Sequence, residues 1–124
     1  MPVRPAVADA SVLGSLIFRE PKAEEARRLM RNAELFEPSV LPYELASVAR
    51  KKILRYGAEK DLILQALRYG LAMDMRLVEV DQEAALQLAL EKGVTLYDAA
   101  YVWVSRLCGG PLLTFDEKLR KASL

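Results

Sequence analysis

Short apolar runs alternate with amphipathic stretches along this chain, and Pro, Asp or Gly closes most of them. Val3 to Ala8 is rich in Val and Ala and punctuated by Pro2 and Pro5, the pattern of a buried strand in a parallel sheet. It stops at Asp9. Within Ser11 to Phe18 the apolar residues Val12, Leu13, Leu16 and Ile17 recur with helical spacing, and Pro21 is expected to end that helix. KAEEARRLMRNA, Lys22 to Ala33, predicts a surface helix with Ala26, Leu29, Met30 and Ala33 along one side. A second short strand is expected from Leu35 to Leu41, interrupted by Pro38. Pro42 then suits the first turn of a helix over Tyr43 to Tyr56, closed by Gly57. Glu59 to Met73 continues as an amphipathic helix carried by Leu62, Ile63, Ala66, Leu67 and Leu71, with Gly70 as its weak point. Leu77 to Val80 reads as a third strand, after which Asp81 caps QEAALQLALEK and Gly93 closes it. Thr95 to Leu107 forms another helix, Gly109-Gly110-Pro111 breaks it, and Leu112-Leu113-Thr114 is a last strand leading through Asp116 to a C-terminal helix.

Strands alternating with helices in this way predict an α/β fold, a short central parallel sheet covered by helices on both faces. In such sheets ligands bind beyond the carboxyl ends of the strands. The length of 124 residues suits one domain, and 52% hydrophobic with 28% charged residues is the mixture of a globular chain. Eighteen basic residues face 17 acidic ones, a net charge of +1, so bulk electrostatics does not by itself announce a nucleic-acid partner. There is no apolar run of membrane-spanning length and no secretory pattern at the start, so a cytoplasmic location away from membranes is expected. A single cysteine, Cys108, excludes an internal disulfide, and the absence of His excludes Ser-His-Asp triads and the usual transition-metal ligand sets. Chemistry therefore has to rest on carboxylates, hydroxyls, Lys or Arg.

Four carboxylates stand where that chemistry is expected. Asp9 closes the first strand and Asp116 follows the last, so both project at one edge of a parallel sheet. Glu44 and Asp98 lie in the first turns of two helices and can point toward the same rim. Singly, each has an ordinary structural explanation, because Asp caps helices and Glu complements the helix dipole. Together they repel, each raising the pKa of the others, unless a cation lies among them. Oxygen-only ligation points to Mg²⁺ or Mn²⁺, ions suited to phosphoryl chemistry.

In order and spacing, VADAS around Asp9, LPYELASV around Glu44, TLYDAAYVWVS around Asp98 and LLTFDEKLRKAS around Asp116 resemble the PIN-domain ribonucleases, and among them the VapC-type toxins of toxin-antitoxin pairs. The resemblance spans nearly the whole chain. It implies a three-layer α/β/α PIN-like domain over residues 1–124 and a Mg²⁺-dependent endoribonuclease, with Mn²⁺ as an alternative ion. Asp9 and Asp98 would be the direct metal ligands, with Glu44 and Asp116 completing the pocket or acting through water. Ser11 and Thr114 match positions where a hydroxyl supports the site, although Ser11 also reads as a helix cap and Thr114 as a strand residue. The resemblance further implies RNA as substrate, a homodimer, and a cognate antitoxin covering the acidic groove, with a basic side chain such as Arg entering it.

Arg50, Lys51, Lys52 and Arg55 follow Glu44 on one helix. Lys51 and Arg55 share a face and read either as phosphate contacts or as an ordinary solvated surface. Arg27, Arg28 and Arg31 read as surface or partner-contacting residues. Tyr97, Tyr101 and Trp103 suit core or interface packing better than base stacking, Cys108 reads as a small buried hydrophobe, and Glu117 as a dipole partner of the last helix. The apolar faces between Tyr43 and Met73 are candidates for the dimer interface. Two other readings remain: an inactive RNA-binding or assembly module on the same fold, and a receiver-type Mg²⁺-binding signalling domain. The second needs paired acids after its first strand, where this chain has Asp9 followed by Ala10.

Overall fold

The computed structural model describes residues 2–124. Among these, four strands and seven α-helices alternate as β1 (Arg4–Ala8), α1 (Ala10–Ile17), α2 (Ala23–Leu29), β2 (Ala33–Pro38), α3 (Leu41–Arg55), α4 (Lys60–Leu71), β3 (Arg76–Val78), α5 (Gln82–Lys92), α6 (Leu96–Cys108), β4 (Leu112–Leu113) and α7 (Glu117–Ala122), with one 3-10 turn at Gly57–Glu59. The sheet runs β3-β2-β1-β4, and all its pairs are parallel. The chain winds outward from β1 to β3 and returns to lay β4 against the other side of β1. Strand order therefore reverses between β1 and β4, the position at which open parallel sheets bind their ligands.

The layers follow from where the apolar residues fall. Val7 and Ala8 at the end of β1 are fully buried, and α6 lays Ala99, Ala100, Tyr101, Val102 and Val104 against the sheet, with α5 packed outside it. On the other side α1 buries Val12, Leu13 and Ile17 and gathers α2, α3 and α4 around itself. The result is the α/β/α arrangement that the alternation of elements predicts. No helix among the described residues is long and apolar enough to cross a membrane.

Element boundaries differ from the sequence reading in informative ways. The helix expected over Lys22 to Ala33 stops at Leu29, because Asn32 adopts a positive φ of 60° and turns the chain so that Ala33 pairs with Arg4. The second strand accordingly begins and ends earlier than Leu35 to Leu41, and Leu41 becomes the first residue of α3. The first helix, Ala10–Ile17, lies within one residue of the expected Ser11 to Phe18, but its end is marked by Arg19 at a left-handed φ of 52° before Pro21 is reached. The stretch from Glu59 to Met73 opens as the 3-10 turn before α4 settles. The third strand covers Arg76 rather than Val80, and Thr114 falls just outside β4.

Two glycines are explained by close approach. Gly70 sits inside α4, where a Cβ would lie 2.5 Å from Ile17 Cδ1, so its bare backbone lets α4 meet α1. A Cβ on Gly110 would collide with the carbonyl oxygen of Pro5, backbone against backbone at the start of the β1 and β4 pairing. Gly110→Ala is expected to destabilise the fold by about 1–3 kcal/mol, the range for forced overpacking. A urea midpoint equal to that of the wild type would show that this corner yields.

Candidate functional site

Asp9 is the N-cap of α1 and is 6% exposed. Its Oδ1 accepts from the Val12 backbone N–H at 3.1 Å and from the Ser11 hydroxyl at 2.6 Å, while its Oδ2 accepts from the Thr114 hydroxyl. Ser11 and Thr114 each do a second job. The Ser11 hydroxyl accepts from the Phe115 N–H and the Thr114 hydroxyl from the Asp116 N–H, both at 3.0 Å. Two hydroxyls thus stitch the segment carrying Asp116 to the carboxylate of Asp9. The cap of α1 is Asp9 and not Ser11, so the alternative reading of Ser11 as a cap does not apply.

Asp116 is exposed and caps α7, its Oδ1 accepting from Lys118 N–H at 2.9 Å and Leu119 N–H at 3.2 Å. Asp98 stands half-buried in the first turn of α6, whose cap is Thr95. Burial raises its pKa, the negative charges of Asp116 and Asp9 add to that rise, and Thr95 and Lys118 oppose it. Glu44, in the first turn of α3, is also half-buried. Burial raises its pKa first, the Tyr101 hydroxyl donating to its Oε1 lowers it, and Asp98 and Asp9 raise it further. Glu44 and Asp98 thus both feel the negative charge of Asp9, and Asp98 also that of Asp116.

Among the described residues no three or more Asp, Glu, Cys or His side chains form a ready-made cage for an ion. Burial is the main cause of the raised pKa values of Glu44 and Asp98, and the neighbouring negative charges add to it.

The scan against family models matches residues 6–123 to the PIN domain. Ribonuclease VapC3 of Pyrobaculum aerophilum is 34% identical over 118 residues, covering 91% of this chain and 90% of that protein. The chain belongs to the PIN-domain family, on its VapC branch. The crystal structure of PAE2754 from the same organism has a TM-score of 0.76 at 26% identity and covers 98% of this chain and 80% of its own. VapBC2 from Rickettsia felis, solved bound to a DNA fragment from their promoter, shares the fold with a TM-score of 0.66 at 13% identity, covering 95% of this chain and 92% of its own.

Sequence reasoning missed two residues of this PIN domain. Glu37, on β2, is 0% exposed, and its Oε2 accepts from the Ala8 N–H at 2.9 Å while Oε1 has no partner. Burial, reinforced by the charge of Asp9 and opposed by the Ala8 hydrogen bond, pushes its pKa up to about 9, so it is neutral at pH 7. The β1 and β2 register runs as far as Ala6 and Leu35, and beyond it the Glu37 carboxyl accepts from the Ala8 N–H. The signal was an acid two residues after Leu35 inside an apolar strand run, a position that faces the interior. Tyr101, read as core, is core, yet its hydroxyl also holds Glu44.

The remaining candidates separate cleanly. Lys51 lines a cavity with Glu44, whereas Arg55 does not line it and lies over the Tyr56 ring. Tyr97 is exposed, and Trp103 is packed against the core. Cys108 is only half-buried at the end of α6. Arg27 and Glu117 form exposed ion pairs with Glu24 and Arg120. A larger groove of about 1000 Å³, between α1 and α4, is lined by none of the four acids.

Proposed function

We propose that this PIN domain is a Mg²⁺-dependent endoribonuclease, able to use Mn²⁺, and the toxin of a toxin-antitoxin pair. The observation that carries the reading is the placement of Asp9 and Asp116 after β1 and β4, the strands at the reversal point of the sheet, and of Glu44 and Asp98 in the first turns of α3 and α6, with only oxygen donors among them. The 34% identity to Ribonuclease VapC3 supports it. When bound, the ion supplies positive charge that promotes deprotonation of an attacking water and offsets charge building on the phosphodiester. Asp9 and Asp98 would hold it directly, and Glu44 and Asp116 through water. Ser11 and Thr114 fix both oxygens of Asp9, so little reorganisation is left for the moment of binding. Water adds to phosphorus and one P–O bond breaks, leaving a phosphate on one fragment and a hydroxyl on the other.

A cognate antitoxin that placed an Arg among the acids would silence the site by supplying the cation's charge in another form. A homodimer suits the exposed Leu54, Leu62 and Tyr69 on α3 and α4, at the end of α3 away from Glu44. The receiver-type reading loses ground because Glu44 and Asp98, not a second acid beside Asp9, complete the acidic group.

Cleavage of a defined RNA in Mg²⁺, and its loss in EDTA, tests the reading; turnover indifferent to chelation removes the mechanism. Because the pKa values of Glu44 and Asp98 are raised, by burial first, both carboxylates ionise at higher pH than free ones. Stabilisation of the fold by Mn²⁺ is therefore expected to grow with pH as they ionise and to vanish in acid, as read by thermal melts. Tyr101→Phe removes the donor to Glu44 and raises its pKa further. Since loss of a partner that orients a metal-binding group costs about 10–100-fold in affinity, Mn²⁺ affinity is expected to fall about tenfold. Affinity unchanged in Tyr101→Phe would detach Glu44 from the ion.

A further inference from the structure

Beside Glu44 the acidic rim opens into a cavity of about 370 Å³, whose wall includes Ala10, Tyr43, Ser47, Lys51 and Tyr97. Tyr43 and Tyr97 are 78% and 58% exposed, although large aromatic side chains gain most when covered. Each is the chain neighbour of a candidate carboxylate, Tyr43 of Glu44 on α3 and Tyr97 of Asp98 on α6, so the two phenol rings come to the cavity from different elements. Glu44, Ser47 and Lys51 recur along one stripe of α3, which places Lys51 about 10 Å along the helix axis from Glu44. Lys51 joins no ion pair among the described residues, whereas its neighbour Lys52 is held by Glu20 at 2.8 Å and lies over Phe18.

This combination has a chemical logic. Four acids repel a polyanion, so a substrate strand needs attraction just outside them. A free ammonium supplies it for a phosphate, and flat aromatic faces supply it for a base without reading its identity. Stacking on a side chain requires a base splayed out of any duplex, which is how single-stranded RNA is held. We propose that this cavity is a nucleotide subsite, taking an unpaired RNA base against Tyr43 and Tyr97 and a phosphate next to the scissile one against Lys51. The inference rests on the ribonuclease reading and adds to it the residues that grip a base and a phosphate beside the acids.

The test measures binding of a fluorescein-labelled single-stranded oligoribonucleotide, and of the matched duplex, by anisotropy in Mg²⁺, with Asp98→Asn as the background so that RNA survives. Single strand is expected to bind more tightly than duplex. Tyr43→Leu and Tyr97→Leu are each expected to weaken single-strand binding about tenfold, with phenylalanine at either position restoring it. Lys51→Gln is expected to flatten the salt dependence by about 0.7 in log-log slope, one phosphate contact on a single strand. Leucine variants that bind like their parent overturn the subsite, as does equal affinity for duplex or no binding by the parent. Leucine variants that change sedimentation and leave single-strand affinity intact also overturn it, showing the tyrosines to be an interface between copies. Cleavage by the wild-type chain is followed separately: tyrosine-dependent binding without cleavage refutes hydrolysis and leaves the subsite standing, and cleavage with tyrosine-independent binding does the reverse.

Discussion

Asp98→Asn is expected to reduce Mg²⁺-dependent RNA cleavage by about a hundredfold or more while leaving the fold intact or slightly firmer. The loss of an outer partner of a metal ligand already costs about 10–100-fold, and this substitution removes a full ligand charge. The fold is spared for reasons visible around the residue. The amide has the shape of the carboxylate, and the cap of α6 uses the Asp98 backbone N–H and the Thr95 side chain, neither of which changes. Burial and the neighbouring charges of Asp116 and Asp9 make the Asp98 carboxylate unfavourable in the absence of a cation, so neutralising it relieves repulsion. Paired assays of cleavage and thermal stability check both halves. A variant that cleaves like the wild type excludes Asp98 from the reaction, whereas one that fails to fold would assign it a structural task.

Glu37→Gln is expected to stabilise the protein by about 3 kcal/mol at pH 7, the linkage value for a group whose folded pKa lies near 9 against 4.5 for the free side chain. The folded state holds this proton more tightly than the unfolded chain does. Below pH 4.5 the acid is protonated in both states; as pH rises from there toward 9, wild-type stability falls, and above 9 the penalty is complete. Glutamine mimics the neutral acid, keeping an oxygen for the Ala8 N–H while never ionising. The gain should therefore be near zero in acid and grow with pH, which urea titrations at several pH values will read. Parallel stability curves for the two proteins between pH 5 and 9 would show that Glu37 is solvated or ionised in the fold.

Much of this architecture was legible because it is written locally. Asp81 and Gly93 frame α5 as capping chemistry predicts, and Gly109 closes α6 in the left-handed conformation. That Asp9 and Asp116 follow strands while Glu44 and Asp98 open helices was legible, because each position is marked locally by an apolar run and its break. What escaped was set by tertiary pairing. The Asn32 turn trades a helical continuation of α2 for a ladder to β1, which no periodicity in KAEEARRLMRNA announces. Glu37 escaped because its partner, the Ala8 N–H, is 29 residues away. The bond from Tyr101 to Glu44 spans 57 residues, and the sequence pattern revealed only the tyrosine's apolar half.

The hydroxyl of Thr114 reaches back 105 residues to Asp9, and β4 is the last strand to join the sheet. The segment that carries Asp116 is therefore tied to Asp9 only by contacts that exist once β4 has paired with β1. The proposed acidic group is thus a property of the finished sheet, and any truncation or local melting that frees β4 would dismantle it while most of the core remained packed.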